Sequence, residues 1–151
     1  PDIFNLVATH EVPYILMHMR GTPQTMSQLN SYHHLLKDVI VELGSQLEKA
    51  RNAGIKDIII DPGFGFAKNS EQNIELFSGM EAFQLFDLPI LVGISRKSMI
   101  YKTLGIEAAD SLNGTSVLNT LALEKGANIL RVHDVKEAVE TVKLCEKLRN
   151  F

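Results

Sequence analysis

Four short apolar runs recur along the chain, each closed by polar or glycine-bearing residues. They are Pro13–His18 (PYILMH), Lys56–Asp61 (KDIIID), Leu88–Ile94 (LPILVGI) and Ala127–Val132 (ANILRV). Continuous Val/Ile/Leu runs of this length predict strands buried on both faces. Their markers Tyr14, Ile58, Ile90 and Ile129 lie 44, 32 and 39 residues apart, which leaves room for the crossover helices that parallel pairing requires. The gaps carry helical periodicity. From Ser27 to Ala53, Leu29, Tyr32, Leu36, Val39, Ile40, Leu43 and Leu47 form one apolar stripe, with Ser27 as the expected N-cap and Gly54 as the expected C-cap. A second helix is predicted from Ser70, packing through Ile74, Leu76, Phe77, Met80 and Phe83. Two more are predicted over Lys97–Leu104, ended by Gly105, and Ala109–Lys125, ended by Gly126. The last begins near Val135 and would pack through Ala138, Val139, Val142, Leu144 and Leu148, while Ile3–Val7 reads as the end of an earlier helix.

Alternation of buried strands with helices predicts an α/β fold with a parallel sheet. Periodicity leaves two architectures open: a small doubly wound sheet, or half of a (β/α)₈ barrel. Composition narrows the functional classes. The chain has 151 residues, 45% hydrophobic and 22% charged, with a net charge of -3. That suits one packed domain and argues against a nucleic-acid or polybasic membrane surface. The single cysteine, Cys145, excludes an internal disulfide and fits a reducing cytoplasm; it falls among apolar periodic positions and is read as packing. No run approaches the ~18 apolar residues of a membrane span, and no signal-peptide pattern opens the chain, which begins at Pro1 rather than Met.

In both architectures ligands bind at the carboxyl ends of the strands, so the residues after each run carry the chemistry. The ends read His18-Met19-Arg20-Gly21, Asp61-Pro62-Gly63-Phe64-Gly65-Phe66, Gly93-Ile94-Ser95-Arg96-Lys97-Ser98 and Arg131-Val132-His133-Asp134. The opposite ends have no comparable cluster. Arg20, Arg96, Lys97, Arg131 and His133 give this mouth a cationic character suited to a phosphate or carboxylate. Asp61 can accept paired N–H groups of a guanidine-like heterocycle, beside the aromatic faces of Phe64 and Phe66. Positive charge at Arg96-Lys97 opposes the dipole of the helix it opens, and so calls for an anion or carboxylate nearby. His33-His34 are read as structural or solvated. His10 and His18 stand at no metal-ligand spacing, and no zinc-type Cys/His set exists.

In their order and spacing, Met17-His18-Met19-Arg20-Gly21-Thr22-Pro23, Asp61-Pro62-Gly63-Phe64-Gly65-Phe66-Ala67-Lys68, Ser95-Arg96-Lys97-Ser98, Asn113-Gly114-Thr115-Ser116 and Arg131-Val132-His133-Asp134-Val135 resemble the C-terminal half of the dihydropteroate synthase family. The resemblance implies a (β/α)₄ half of a TIM (β/α)₈ barrel. Residues 1–151 would form one partial domain holding strands 5–8 and their helices. It implies a transferase of folate biosynthesis that joins a dihydropterin hydroxymethyl diphosphate to 4-aminobenzoate, releasing diphosphate, with Mg²⁺ assisting. By the same resemblance Asp61 recognises the pterin, Met17 and Gly93 line its slot, and Ser95 supports the pterin and anion region. Phe66, Lys97 and Ser98 border the aminobenzoate. Lys97, Arg131 and His133 are the catalytic candidates, the last two holding the diphosphate. The principal metal ligand belongs to an N-terminal half of the family pattern that this sequence does not show, so no metal ligand is expected here. These residues alone are expected to lack synthase activity, and a homo-oligomer and sulfonamide targeting are implied. Two alternatives are a pterin-binding methyltransferase domain and a non-catalytic half-barrel interaction module.

Overall fold

The computed structural model describes residues 2–150; the side chain of Ser27 lies outside that description. Among the described residues four strands form, each inside one of the apolar runs: β1 (Tyr14–Met17), β2 (Ile58–Asp61), β3 (Leu91–Val92) and β4 (Ile129–Leu130). β1 pairs parallel with β2, from Tyr14 opposite Ile58 to Met17 opposite Asp61, and β3 pairs parallel with β4. A parallel bridge between Ile60 and Ile90 joins the two pairs, and Ile60 N donates to Pro89 O at 2.8 Å. Spatial order is therefore chain order, without the reversal that makes a doubly wound switch point.

Burial varies across this order. Ile60 and Val92 are fully buried, whereas Ile15 of β1 is 47% exposed and Ile129 of β4 is 36% exposed. The expectation of strands covered on both faces holds for the middle pair and fails for the outer pair. Among the described residues each outer strand has a neighbour on one side only, so its apolar side chains are half covered.

The helices are α1 (Ile3–His10), α2 (Leu35–Asn52), α3 (Ser70–Ser78), α4 (Ser98–Leu104), α5 (Leu112–Glu124) and α6 (Val135–Arg149). α2 begins seven residues later than its apolar stripe suggests, with His34 rather than Ser27 at the N-cap. Ser27 lies in a 3-10 turn over Met26–Gln28, and the Asp38 carboxylate accepts from His33 N and His34 N, fixing the helix start there. Its face of Leu35, Val39, Leu43 and Leu47 enters the core, and Gly54 follows its end at φ +97°. α3 opens on a capping box between Asn69 and Gln72 and gives way to a 3-10 stretch over Met80–Phe86. α5 begins three residues later than expected, after a 3-10 turn over Ala108–Asp110. Gly114 lets α5 approach α4, since a Cβ there would meet Ile100 Cγ2 at 2.5 Å. Cys145 is buried as expected, but Leu144 and Leu148 of α6 are exposed rather than packed. Their spacing mimics a core stripe, while α6 buries only its Ala138 and Cys145 side.

Candidate active site at the carboxyl ends of the strands

β1 and β2 end side by side, with His18 N donating to Asp61 O at 2.9 Å. Asp61 is 8% exposed. Its Oδ1 accepts from Gly63 N at 2.8 Å, and Oδ2 accepts from no described residue. Burial pushes its carboxyl above the usual range, against the pull of that N–H and of Lys97, Lys68 and Arg131. The chain can turn so tightly after Pro62 because Gly63 sits at φ +73°; a Cβ would fall 1.9 Å from His18 O. The loop that follows is held by side chains. Lys68 Nζ donates to Gly63 O and Phe66 O, both at 3.0 Å, and Tyr32 Oη donates to Ala67 O at 2.9 Å. Lys97 Nζ donates to Phe64 O and lies 4.9 Å from the Phe66 ring centroid. Asn73 Oδ1 accepts from Gly65 N at 2.7 Å.

Lys68 itself is buried and pairs with His18 Nδ1 at 2.9 Å; His18 Nε2 lies 3.0 Å from Glu42 Oε2. Burial first, then the Lys68 charge, lowers His18 to about 4, so the ring is neutral at pH 7. The assignment that satisfies both partners puts its proton on Nε2, donating to Glu42. Arg20 Nε donates to both Glu42 oxygens at 3.1 Å, and its guanidinium carbon stands 3.9 Å over the Tyr32 ring. Sequence reading named Arg20 as part of a cationic mouth; the structure instead engages it with Glu42 and Tyr32. It assigned no role to Glu42, read Tyr32 as part of the apolar stripe of a helix, and set His18 aside only as a metal ligand. The one signal available was a lysine, Lys68, placed directly after the Gly63–Ala67 turn.

The β3 and β4 ends are built differently. Ser95 Oγ, buried, accepts from His133 N at 3.2 Å and lies 3.0 Å from His133 Nδ1. Arg96 forks onto Asp134, Nε to Oδ2 at 2.9 Å and Nη2 to Oδ1 at 2.7 Å. This is the carboxylate that the helix-start charge called for. Arg96 takes a φ of +55°, with its N–H on Thr115 Oγ1 at 3.1 Å. Lys97 is the N-cap residue of α4 and Ser98 its first residue. Burial lowers the Lys97 ammonium, with Asp61 opposing and Arg131 adding to the shift. Arg131 is exposed and its guanidinium makes no hydrogen bond or ion pair with any described residue. Gly93 lies beneath it, a Cβ there being 3.7 Å from Arg131 Cβ.

Asp61, Phe66, Lys97 and Arg131 thus share one electrostatic neighbourhood, with Gly93 under Arg131. Met17 is opposite Asp61 in the strand register, and its side chain lines a groove along β1 with Phe4 and Tyr14. His133 joins Ser95 rather than Asp61 or Lys97. Ser98 lies next to Lys97 and hydrogen-bonds to none of these side chains. Among the described residues no three His, Cys, Asp or Glu side chains converge to hold a metal ion.

A buried acceptor facing cations across parallel strand ends is an arrangement for a polar heterocycle that carries an anion. Residues 1–133 match the family model described as pterin binding enzyme, and the chain belongs to that family. It is similar to the dihydropteroate synthase of Escherichia coli strain K12, 38% identical over 148 residues, which cover 97% of this chain and 52% of that protein. Among solved structures, dihydropteroate synthase of Yersinia pestis in a sulfonamide drug complex superposes with a TM-score of 0.95 at 36% identity, over 100% of this chain and 56% of that one. That of Thermus thermophilus in complex with 4-aminobenzoate gives 0.93 at 34% identity, over 97% and 58%. The chain spans about half the length of these relatives.

Proposed function

We propose that this chain carries the pterin and diphosphate half of a dihydropteroate synthase site. Asp61 accepts the pterin N–H groups on Oδ2. Lys97, drawn between Asp61 and Phe64 O, borders both the ring and the 4-aminobenzoate, with Phe66 and Ser98 beside it. Met17 and Gly93 line the slot. Arg131 and His133, the latter oriented by Ser95, face the diphosphate. In the reaction the methylene C–O bond breaks and its electron pair leaves with diphosphate. The aminobenzoate nitrogen forms the new C–N bond and loses a proton. Arg131 offsets the charge growing on the leaving oxygens. The Mg²⁺ that the family resemblance implies would assist by offsetting charge on the diphosphate, with its principal ligand in the N-terminal half of the family pattern.

The observation that carries this reading is the buried Asp61 carboxylate with one free oxygen, among Lys97, Arg131 and Phe66. Calorimetry with dihydropterin hydroxymethyl diphosphate tests it. Binding by the chain, weakened roughly 10- to 100-fold in Asp61→Asn, is expected from a lost charge-assisted hydrogen bond. No binding by the unmodified chain overturns it.

We also infer that residues 1–151 are one partial domain, a (β/α)₄ half of a (β/α)₈ barrel. Sequential strand order and the likeness to chains about twice as long support this. Both outer strands border grooves, about 460 Å³ beside β1 and about 560 Å³ between β4 and α6, suited to further βα units. On this reading the 151 residues bind without turnover, and adding the complementary half restores synthesis. Homo-oligomerisation, a cytoplasmic location and sulfonamide action at the aminobenzoate subsite belong to the same proposal. The single buried, unpaired Cys145 is in keeping with a reducing compartment, and no described helix is long and apolar enough to cross a membrane.

A further inference from the structure

We propose that Arg20, Glu42, His18, Lys68 and Tyr32 form a clamp that positions the 61–68 loop, and through it Asp61, for the pterin; the idea rests on the function proposed above. Two arms leave Arg20. One runs through Glu42 to His18 and then to Lys68 Nζ, whose other two bonds hold Gly63 O and Phe66 O. The other runs through the Tyr32 ring, under the guanidinium, to the hydroxyl that holds Ala67 O. A third contact fixes the far side of Arg20, Nη1 to Ser31 O at 2.5 Å. The arms converge on three carbonyls of the five-residue stretch Gly63–Ala67, in which Gly63, Gly65 and Ala67 all have positive φ.

Positive φ at a non-glycine such as Ala67, here +51°, is strained and persists only where the surroundings hold it. The clamp supplies that hold. The loop in turn carries Gly63 N onto Asp61 Oδ1 and Phe64 O onto Lys97, so the direction of the free Asp61 oxygen depends on it. None of the five residues needs to touch the pterin; they are positioning residues.

The test compares Glu42→Gln with Tyr32→Phe, which deletes one hydroxyl and keeps the ring. Each variant is read by amide hydrogen exchange and by calorimetry with the pterin diphosphate. Expected are faster exchange confined to the 63–68 amides, with β3 and β4 unchanged, and roughly five- to tenfold weaker binding, the worth of about one hydrogen bond. Glu42→Asp, which keeps the charge, should recover part of both effects. Unchanged loop exchange in both variants overturns the clamp. A loosened loop with undiminished binding overturns its positioning role. If the unmodified chain binds no pterin, the proposed function fails and the positioning role fails with it, an outcome distinct from either of the others.

Discussion

The two halves of the strand-end surface solve opposite problems. At β1 and β2, five polar side chains are turned on one another and on the loop backbone, and two of them, His18 and Lys68, are buried. At β3 and β4 one fork, Arg96 to Asp134, and one pair, Ser95 to His133, brace the backbone, while the Arg131 guanidinium stays free of described partners. A planar heterocycle needs a fixed acceptor, because its N–H pattern rewards direction. A diphosphate needs charge that can follow it as it leaves. Rigidity on one side and exposed charge on the other suit the two ends of one ligand.

Four substitutions test that contrast, here in order of their expected effect on stability. Gly63→Ala should cost most, about 3 kcal/mol in a denaturant titration, since it adds strain at φ +73° and drives a Cβ into His18 O. A well-tolerated alanine would mean that the first half is not closed. Lys68→Met should cost about 2 kcal/mol by stranding two backbone carbonyls and the His18 ring, and it should also alter the pH response. Burial lowers Lys68 from 10.5 to about 7. Between those values the unfolded chain binds more protons than the folded one, so stability rises with pH from about 7 to about 10.5. Thermal melts across that window should show the rise in the parent and a flatter profile in the variant. Asp134→Ala should destabilise less than either, because its fork is part-exposed; faster exchange at the Arg96 and Lys97 amides is the expected sign. Arg131→Met should leave stability within about 0.5 kcal/mol while weakening pterin diphosphate binding. A large loss of stability there would remove the contrast between the halves.

How much was legible in the sequence follows the same divide. Strand positions, both ends of α4, the start of α6 and the need for a negative group near Arg96 could be read, because short-range rules govern them: apolar runs, Gly105 at a helix end, a charge against a dipole; that Asp134, 38 residues on, would answer Arg96 could not. The clamp could not. Lys68 lies 50 residues from His18 and His18 lies 24 from Glu42; only the parallel register of β1 on β2 and the packing of α2 bring them together. The late start of α2 was hidden for a related reason. Leu29 and Tyr32 fall at helical spacing, yet Tyr32 is held outside the helix by Ala67 O and Arg20. In α6, Leu144 and Leu148 keep a core-like spacing on an exposed face, and nothing local marks which side of that helix has a partner.

The outer strands, β1 and β4, also have a geometric consequence. A curved sheet with a free edge at each end is a bivalent building block. If its curvature subtends half a circle, two such blocks close into a ring and association stops at the pair. If it subtends any other angle, the last edge stays open and each addition creates the site for the next, which gives filaments rather than closed particles. For any sheet that exposes two such edges, the arc between them sets whether association would close or continue.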